Sequence, residues 1–406
     1  MCGLSVHLDA EVFVSDSEAG PAIFYLPDRM VSVFPDLQTL KQARSLQYQV
    51  LSMRLVIFGL TITSSWGNGH ATLWRALSRS LAQRGHHLTF FERQLPYYAE
   101  TRDLTTWTDG ELILYDCWDL ASAVARDRLA NADVALISSY CPDALSAGKL
   151  LAEFGERIVK IFYDMDTPVT LHRLETHGFV PYLPSNGLRD FDLVLSFTGG
   201  IVLTTLKERL GARRVEVLYG HADPDLHYRR VTSTEREATL SYLGTFARDR
   251  QPALEEFFVK PAQRLPAWRF VLAGALYPQE FPWESNIYFL RHLPPSEHGA
   301  FFSSSKCTLN LTRSSMIAAG FCPSGRIFEA AACGTPVITD RWTGLEEFFE
   351  PGKEIIVAES AADVIRAITS PRESINLIGD AAYRRFLSQH TSDRRAAELE
   401  SYLHVI

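Results

Sequence analysis

The sequence of 406 residues lacks the features that mark several special classes of protein. It has no apolar run approaching the roughly 18 residues that a membrane helix needs, and no long run of Lys and Arg. Because nucleic acid is bound through clustered positive charge, the formal net charge of −8 makes nucleic acid a poor partner. The N-terminal stretch carries acids where a signal peptide would carry Lys or Arg. We therefore expect a cytoplasmic protein without an integral membrane segment.

Metal and disulfide signals are also missing. The six cysteines are scattered, with no Cys-x-x-Cys and no Cys/His cluster at the spacing of a zinc site. Isolated cysteines in a reducing compartment are usually small buried hydrophobes, so we predict that role for each of them. What remains is the composition of an ordinary globular protein, 46% hydrophobic and 22% charged, in a chain long enough for two cores.

Apolar strand-like runs alternate with helix-like stretches over most of the chain. The first run, MRLVIFGL, begins at Met53, and a second series begins with LSYLGTF after a linker-like stretch near 221–238. Strand–helix alternation predicts parallel sheets with helices on both faces, and hence an α/β fold of two Rossmann-like, doubly wound domains facing each other across a cleft. The predicted units are an N-terminal extension over 1–52 outside the core, domains over 53–226 and 227–382, and a helical segment over 383–406.

The most informative stretch is SGRIFEAAACGTPVITD, which starts at Ser324. Ser324 can cap a helix whose first amides would face an anion. Glu329 lies within the first turns of that helix, where a carboxylate can accept hydrogen bonds from the two hydroxyls of a ribose. Gly334 then ends the helix. Taken alone, a glutamate such as Glu329 is more often a solvated residue on an amphipathic helix.

This string resembles the donor-binding helix of GT-B glycosyltransferases. Together with LEEFFEPGKEI it is most similar to the CgeB-like group, related to spore maturation protein CgeB, and the resemblance spans about residues 53–390. It implies a metal-independent, hexosyltransferase-type GT-B enzyme that moves a sugar from a nucleotide-diphosphate sugar to a hydroxyl of a glycan, lipid, protein or small molecule, without a further cofactor. The C-terminal domain would bind the donor and the N-terminal domain the acceptor. Glu329 would bind the ribose, with Arg326 and Ser324 near the diphosphate.

The chain departs from the family pattern at Phe321. Many retaining members carry a second glutamate eight residues before the ribose-binding one, where it contacts the transferred sugar, and Phe321 occupies that position here. The resemblance therefore does not carry a retaining outcome to this chain.

Further donor-side candidates follow strand ends in the second domain. Arg248 and Arg250 could form bidentate hydrogen bonds with phosphate oxygens, or they could simply begin a solvated helix. The candidates are Gly244, Thr245, Arg248 and Arg250 after the first strand, and Asn310, Thr312 and Arg313 after the run KCTLNLTR.

In the first domain, the loop TITSSWGNGH joins the first strand to the first helix. Gly67 and Gly69 would allow a ligand to approach the backbone around Asn68, and the following helix N-terminus would favour an anion. His70 would serve as a general base or donate to a phosphate, although a histidine at a helix start is often only structural.

Two other segments of this domain hold polar candidates. Asp166, in YDMDTP, is the candidate base for the acceptor hydroxyl, with the N-cap of the next helix as the alternative. Asp164 and Asp166 together could instead ligate Mg²⁺ or Mn²⁺, but we predict no metal. His221 and Asp223, in YGHADP, are predicted to form the interdomain hinge first and to contact the ligand second.

Two other functions remain open. An NAD(P)-dependent oxidoreductase is suggested by Gly67-x-Gly69 with Glu92 about 23 residues on, but Gly67 comes eight residues after Gly59, too far for a dinucleotide fingerprint. A GT-B relative that only binds the sugar nucleotide, or an epimerase, is kept open by Phe321.

Overall fold

The computed structural model describes residues 25–26, 29–30, 52–231 and 237–406. The chain forms two compact units, Met1–Leu51 and Ser52–Ile406. In the first unit the two-residue strands Tyr25–Leu26 and Arg29–Met30 pair antiparallel. The rest of the predicted extension over 1–52, apart from Ser52, lies outside the described residues.

The second unit begins with a parallel sheet of seven strands. Its central strands are apolar on both faces because helices cover both, as Phe58, Phe90 and Phe162 illustrate with no exposed surface. The strands are Arg54–Gly59, His87–Arg93, Glu111–Tyr115, Val134–Ser138, Val159–Asp164, Leu193–Ser196 and Val215–Val217. The helices that join them are Gly69–Gln83, Pro96–Glu100, Trp118–Leu129, Ala144–Ala152, Thr167–His177 and Ile201–Leu210, with a 3₁₀ turn at Gly155–Arg157.

A second parallel sheet, of six strands, follows. The strands are Ala238–Leu243, Phe270–Ala273, Ile287–Leu290, Ser305–Asn310, Val337–Thr339 and Ile356–Val357. The helical segments are Arg248–Arg250, Gln251–Leu254, Glu255–Val259, Lys260–Arg264, Pro295–Ser303, Ser314–Ala319, Gly325–Ala332, Leu345–Glu347, Ala361–Thr369 and Arg372–Gln389. The segment Glu255–Val259 is a π-helical turn inside one longer helix.

The strand order positions the ligand site. Counted within each sheet, the order is 3-2-1-4-5-6-7 in the first and 3-2-1-4-5-6 in the second. The direction of winding reverses beside strand 1 of each sheet, which opens a crevice at the carboxyl ends of strands 1 and 4. The predicted α/β fold of two Rossmann-like domains is confirmed.

The last helix, Ser392–Leu403, returns to the N-terminal half. Ala396 and Leu399 are buried in the same hydrophobic cluster as Leu77 and Leu81 of the first helix. Glu400 accepts two hydrogen bonds from the Arg84 guanidinium, at 2.8 and 2.6 Å. The helix therefore joins the two halves of Ser52–Ile406 by packing as well as by charge.

The helix Gly325–Ala332 is built as its sequence predicts. Ala330, Ala331 and Ala332 have no exposed surface, so the helix approaches the sheet closely. Gly334, at φ 64°, ends it in the left-handed conformation that glycine adopts at little cost. This close packing fixes the direction in which Glu329 points.

The cysteine prediction holds for four of the five cysteines in the described residues. Cys141, Cys307, Cys322 and Cys333 are buried, whereas Cys117 is exposed. Cys117 precedes the helix Trp118–Leu129 at the edge of the first sheet, where no further strand covers it. Cys2 lies outside the described residues. In the described part of the chain, no helix has both the length and the apolar character that crossing a bilayer requires.

Candidate active site

A cleft of about 1070 Å³ lies between the carboxyl ends of the two sheets. It brings together residues that the sequence predicted from separate motifs in both halves of the chain. From the N-terminal half it is lined by Gly67, Asn68, Gly69, His70 and Asp166, and from the C-terminal half by Gly244, Thr245, Arg248, Arg250, Thr312, Arg313, Ser324, Arg326 and Glu329.

Glu329 lies in the wall of this cleft and is only 7% exposed. Its Oε2 is 3.1 Å from Nδ1 of His298, and its Oε1 is 4.0 Å from Nε2 of His227. Burial by itself would raise the pKa of Glu329, but the neighbouring His298, His227 and Arg326 lower it well below its usual range. The side chain is therefore an ionised, oriented acceptor at neutral pH.

Two arginines face the cleft without a carboxylate in direct contact. Arg250 is 8% exposed, and its Nη2 donates to the carbonyl of Thr245 at 2.5 Å. Burial lowers the pKa of Arg326, and the nearby charge of Arg250 lowers it further. Among the residues that the structure describes, neither guanidinium has a carboxylate within 4.0 Å, and the Nε atom of each has no hydrogen-bond partner. Such a pair is expected to bind an anion with more than one negative charge.

The helix Gly325–Ala332 directs its N-terminus at the same place. Ser324 occupies the N-cap position with extended backbone, and its carbonyl accepts the amide of Ile327 at 3.1 Å. Gly325 and Arg326, whose amides open the first turn, line the cleft. A helix N-terminus carries partial positive charge, so it adds to the field of the two arginines.

On the opposite wall, the two predicted catalytic residues lie side by side. Nε2 of His70 is 3.7 Å from Oδ2 of Asp166, which also accepts a hydrogen bond from the Tyr140 hydroxyl at 3.1 Å. Asp166 stands at the N-cap position of Thr167–His177, but its carboxylate turns to these two side chains. Burial lowers the pKa of His70, and the charge of Asp166 opposes this effect only in part. His70 is therefore neutral at pH 7.

Asp164 does not share the position of Asp166. It is fully buried beneath the cleft, where its Oδ1 accepts the hydroxyl of Thr170 and the amide of Asp166. Burial raises its pKa to about 7. A buried, partly protonated carboxyl is a poor partner for Asp166 in binding one ion, so this placement does not support the Asp-x-Asp alternative.

Three predicted residues are buried outside the cleft lining, which corrects the donor-side prediction for Asn310 and the ligand contact, but not the hinge role, predicted for His221 and Asp223. Nδ2 of Asn310 donates to Thr339 in the neighbouring strand at 3.0 Å, because Asn310 still lies within the sheet. The His221 ring is held by the carbonyls of Leu73 and Tyr219. Asp223 accepts from the guanidinium of Arg79 and the amide of Asp225. His221 and Asp223 thus tie the hinge to the first helix.

Thr312 lines the cleft with its polar atoms already engaged. Its amide and its hydroxyl both donate to the carboxylate of Asp340, at 3.0 and 2.9 Å. Thr312 therefore shapes the wall of the donor side without offering a free hydroxyl.

Glu92 cannot serve as the ribose-binding acid of an oxidoreductase. It is 1% exposed, and its carboxylate accepts the hydroxyls of Thr61 and Thr63 and the amides of Ile62 and Thr63. Its hydrogen-bonding capacity is used to fix the loop after the first strand. The feature that suggested dinucleotide binding is thus a structural one.

Phe321 is used to pack the two halves together. It adopts φ 47°, its carbonyl accepts the amide of Gly199 at 3.0 Å, and its ring fills the space where Gly200 and Gly344 would carry a Cβ. The position from which a glutamate would contact the transferred sugar is thus occupied by an aromatic ring outside the cleft lining.

Several residues of the site were not predicted from the sequence. His298 lines the cleft and His227 lies behind it, and both face Glu329. His298 precedes Glu329 by 31 residues, and a single histidine in a short helix carries no spacing signal that links it to a distant carboxylate. Tyr140, which holds Asp166, was missed for the same reason.

Comparisons with known proteins agree with this architecture. Residues 248–401 match a family described as glycosyl transferase-like. No curated protein matches the chain. Among solved structures, sucrose-phosphate synthase from Thermosynechococcus elongatus is similar at TM-score 0.65 and 14% identity, over 87% of this chain and 98% of that one.

Two further solved structures were obtained with a nucleotide sugar. Anabaena HepE in complex with UDP-glucose is similar at TM-score 0.61 and 12% identity, and an α-glucosyltransferase in complex with UDP-glucose and DNA at TM-score 0.65 and 15% identity. Each comparison covers 87% of this chain and 100% of the other. At these identities the similarity establishes the fold, which is that of GT-B glycosyltransferases.

Proposed function

We propose that the chain is a glycosyltransferase that moves a sugar from a nucleotide-diphosphate sugar to a hydroxyl acceptor. The observation that carries this proposal is that Glu329 shares a cleft between two Rossmann-like domains with Arg250 and Arg326, whose Nε atoms have no partner in the described residues. A carboxylate acceptor for a diol and cationic donors for a diphosphate are the two requirements of a nucleoside diphosphate. The glycosyl transferase-like match over residues 248–401 includes all three residues.

The donor lies with its ribose hydroxyls on Glu329 and its diphosphate on Arg250, Arg326 and the amides that follow Ser324. Glu329 is ionised and accepts both hydroxyl protons in hydrogen bonds. Arginine suits the diphosphate because its planar fork binds two phosphate oxygens at once. Gly244 and Thr245, at the end of the first strand of the second sheet, let the backbone approach the same group.

The sugar is transferred when the acceptor oxygen forms a bond to the anomeric carbon and the bond from that carbon to the diphosphate breaks. The electron pair leaves with the diphosphate, and its growing negative charge is stabilised by Arg250, Arg326 and the helix N-terminus. We propose that these groups replace a catalytic metal ion. Because they face the leaving group before the reaction begins, they need little reorganisation during it.

Asp166 is proposed to take the proton of the attacking hydroxyl. Its side chain is 21% exposed in the cleft, and Tyr140 and His70 hold it from the other side. A carboxylate can act as general base when it lies within hydrogen-bond reach of the proton that it removes. His70 is neutral and adjacent, so it supports the position of Asp166 and becomes an ion-pair partner on protonation.

The finer features of the proposal rest on the sequence. The string RIFEAAACGTPVITD supports a CgeB-like, hexosyltransferase-type enzyme, and the cysteines buried as free thiols suit a cytoplasmic location. The net charge of −8 favours an acceptor other than nucleic acid. Since Phe321 replaces an expected sugar contact, a protein that binds the nucleotide without transferring sugar is the second candidate.

One experiment separates these two candidates. Thermal shift with UDP-, GDP-, ADP- and dTDP-sugars identifies the donor, and release of the free nucleoside diphosphate is then followed with a panel of hydroxyl acceptors. Transfer predicts acceptor-dependent release that Asp166→Asn abolishes. Donor binding without release in any acceptor mixture would leave only the binding function.

A further inference from the structure

We propose that His227, His298 and Glu329 form a site for a divalent transition-metal ion such as Zn²⁺, and that an ion bound there excludes the nucleotide. The binding of the ion concerns the protein alone. The exclusion of the nucleotide rests on the proposed function, because it assumes that the nucleotide ribose binds to Glu329.

The three side chains converge at the distances that a metal site needs. One ligand atom from each of the three side chains lies within 4.8 Å of the other two. Zinc bonds of about 2.0–2.1 Å in a tetrahedron place ligand atoms about 3.3 Å apart. Nδ1 of His298 is already 3.1 Å from one carboxylate oxygen of Glu329, and Nε2 of His227 is 4.0 Å from the other oxygen. Because the ligand atoms lie within 4.8 Å of one another, side-chain movements of about 1.5 Å or less complete the geometry.

His227 supplies an independent reason to expect a ligand. It is 1% exposed, and in the described part of the chain neither of its ring nitrogens has a hydrogen-bond partner. The Asp223 carbonyl interacts with the ring without the geometry of a full hydrogen bond, and it already accepts the amides of Leu226 and His227. A buried imidazole without a well-formed hydrogen bond is costly, so such a group requires an explanation. An ion on Nε2 provides one.

His298 is oriented as metal-ligating histidines are. Its Nε2 lies 3.3 Å from the carbonyl of Leu293, which directs Nδ1 towards Glu329. A metal-bound histidine almost always donates its other ring N–H to such an acceptor. A proton on Nδ1 would also satisfy His298 and Glu329, but it would leave His227 without a partner. A metal ion serves all three side chains.

The ligand set favours one class of ion. Two imidazoles and a carboxylate suit Zn²⁺ and its transition-metal neighbours, whereas Mg²⁺ prefers oxygen ligands. Glu329 and His298 line the cleft, so the ion enters from the cleft and keeps an open coordination position there. Because the ion uses the carboxylate that the ribose needs, ion and nucleotide compete.

The site is tested first without nucleotide. The full-length protein is stripped with a chelator, and the binding of Zn²⁺ alone is measured by isothermal titration calorimetry. One ion per chain is expected, with affinity at least 10-fold lower in His227→Gln and in His298→Gln. His292→Gln is the matched control, because His292 also lines the cleft but lies outside the cluster, and it should bind Zn²⁺ like the wild type. No bound zinc, or equal binding by all variants, overturns the site.

Competition is tested second, with whichever nucleoside diphosphate of UDP, GDP, ADP and dTDP binds the zinc-free protein. Zn²⁺ at a concentration that just saturates the wild type should lower the affinity of the wild type for that nucleotide at least 10-fold. The same concentration should not change the nucleotide affinity of His227→Gln, which keeps Glu329. Equal nucleotide affinity with and without zinc in the wild type overturns the competition. If no nucleotide binds the zinc-free protein, the proposed function fails while the zinc titration still decides the site.

Discussion

Nε2 of His70 lies 3.7 Å from Oδ2 of Asp166, although the two residues follow different strands of the first sheet. They meet because the carboxyl ends of parallel strands share one edge of the sheet, where the cleft opens. The acceptor side of the site is therefore a direct consequence of the strand order.

Asp166→Asn should remove transfer while leaving donor binding intact. An amide cannot take the proton of the acceptor hydroxyl, and general base catalysis typically contributes about 10²–10⁴-fold to a rate. We expect kcat to fall by about that factor and the Kd of the nucleotide to change less than about twofold. Steady-state kinetics with calorimetry checks both values. Asp119→Asn, an exposed acid of the same sheet edge, is the control and should keep full activity.

Arg250 and Arg326 should each strengthen the binding of the diphosphate group and contribute little to the binding of the nucleoside. A hydrogen bond to a charged group contributes about 1.5–3 kcal/mol, so Arg326→Gln or Arg250→Gln should weaken a nucleoside diphosphate by about 10- to 100-fold. Affinity for the bare nucleoside should be unchanged. Arg126→Gln, which breaks an exposed ion pair with Glu153 outside the cleft, should alter neither affinity. Equal losses for nucleoside and diphosphate would contradict the assignment.

Arg326→Gln should also stabilise the protein when no ligand is bound. The guanidinium is buried near the like charge of Arg250 and lacks a carboxylate partner in the described residues. Replacing it by a neutral side chain removes this repulsion, which is larger than the attraction to Glu329 that is lost with it. Thermal unfolding without nucleotide should give an equal or higher midpoint than the wild type, and with saturating nucleotide a lower one. A lower midpoint in both conditions would mean that Arg326 is mainly structural.

The sequence predicts the fold well because buried parallel strands are continuous apolar runs and their order along the chain is regular. It predicts that Arg250 lines the cleft because this residue follows the end of a strand. It predicts the same for Arg326 and Glu329 because they lie in the first turns of a helix. It fails for Asn310, which lies two residues before the cleft-lining Thr312 and still bonds within the sheet. It also fails for His298 and for the docking of Ser392–Leu403, because contacts between distant segments leave no local pattern.

Folding stability should fall as the pH decreases from 7 to 5. Burial lowers the pKa of His221 to about 4 and that of His390 to about 3, so below about pH 6.5 the unfolded chain binds protons that the folded chain excludes. Each buried histidine contributes a slope of at most about 1.4 kcal/mol per pH unit in that range. The free energy of unfolding, measured with denaturant at several pH values, should fall less steeply with decreasing pH in His221→Gln than in the wild type. His172→Gln, at an exposed histidine, serves as the control.

Removing divalent metals should not abolish transfer. The leaving diphosphate is neutralised by Arg250, Arg326 and the helix after Ser324, so EDTA should leave kcat within about twofold. If trace zinc occupies the His227 site, EDTA should lower the apparent KM for the donor. Complete loss of activity on EDTA treatment, restored by Mn²⁺, would contradict the metal-independent mechanism.

The central claim is that Glu329 binds the ribose of a nucleoside diphosphate in this cleft. Its most direct test is calorimetry of the nucleotide that binds best from the panel, on the zinc-free wild type and on Glu329→Gln. The wild type is expected to bind one nucleotide per chain, and the variant to bind it at least about 10-fold more weakly, with unchanged affinity for inorganic pyrophosphate. Equal nucleotide affinity in the two proteins would contradict it.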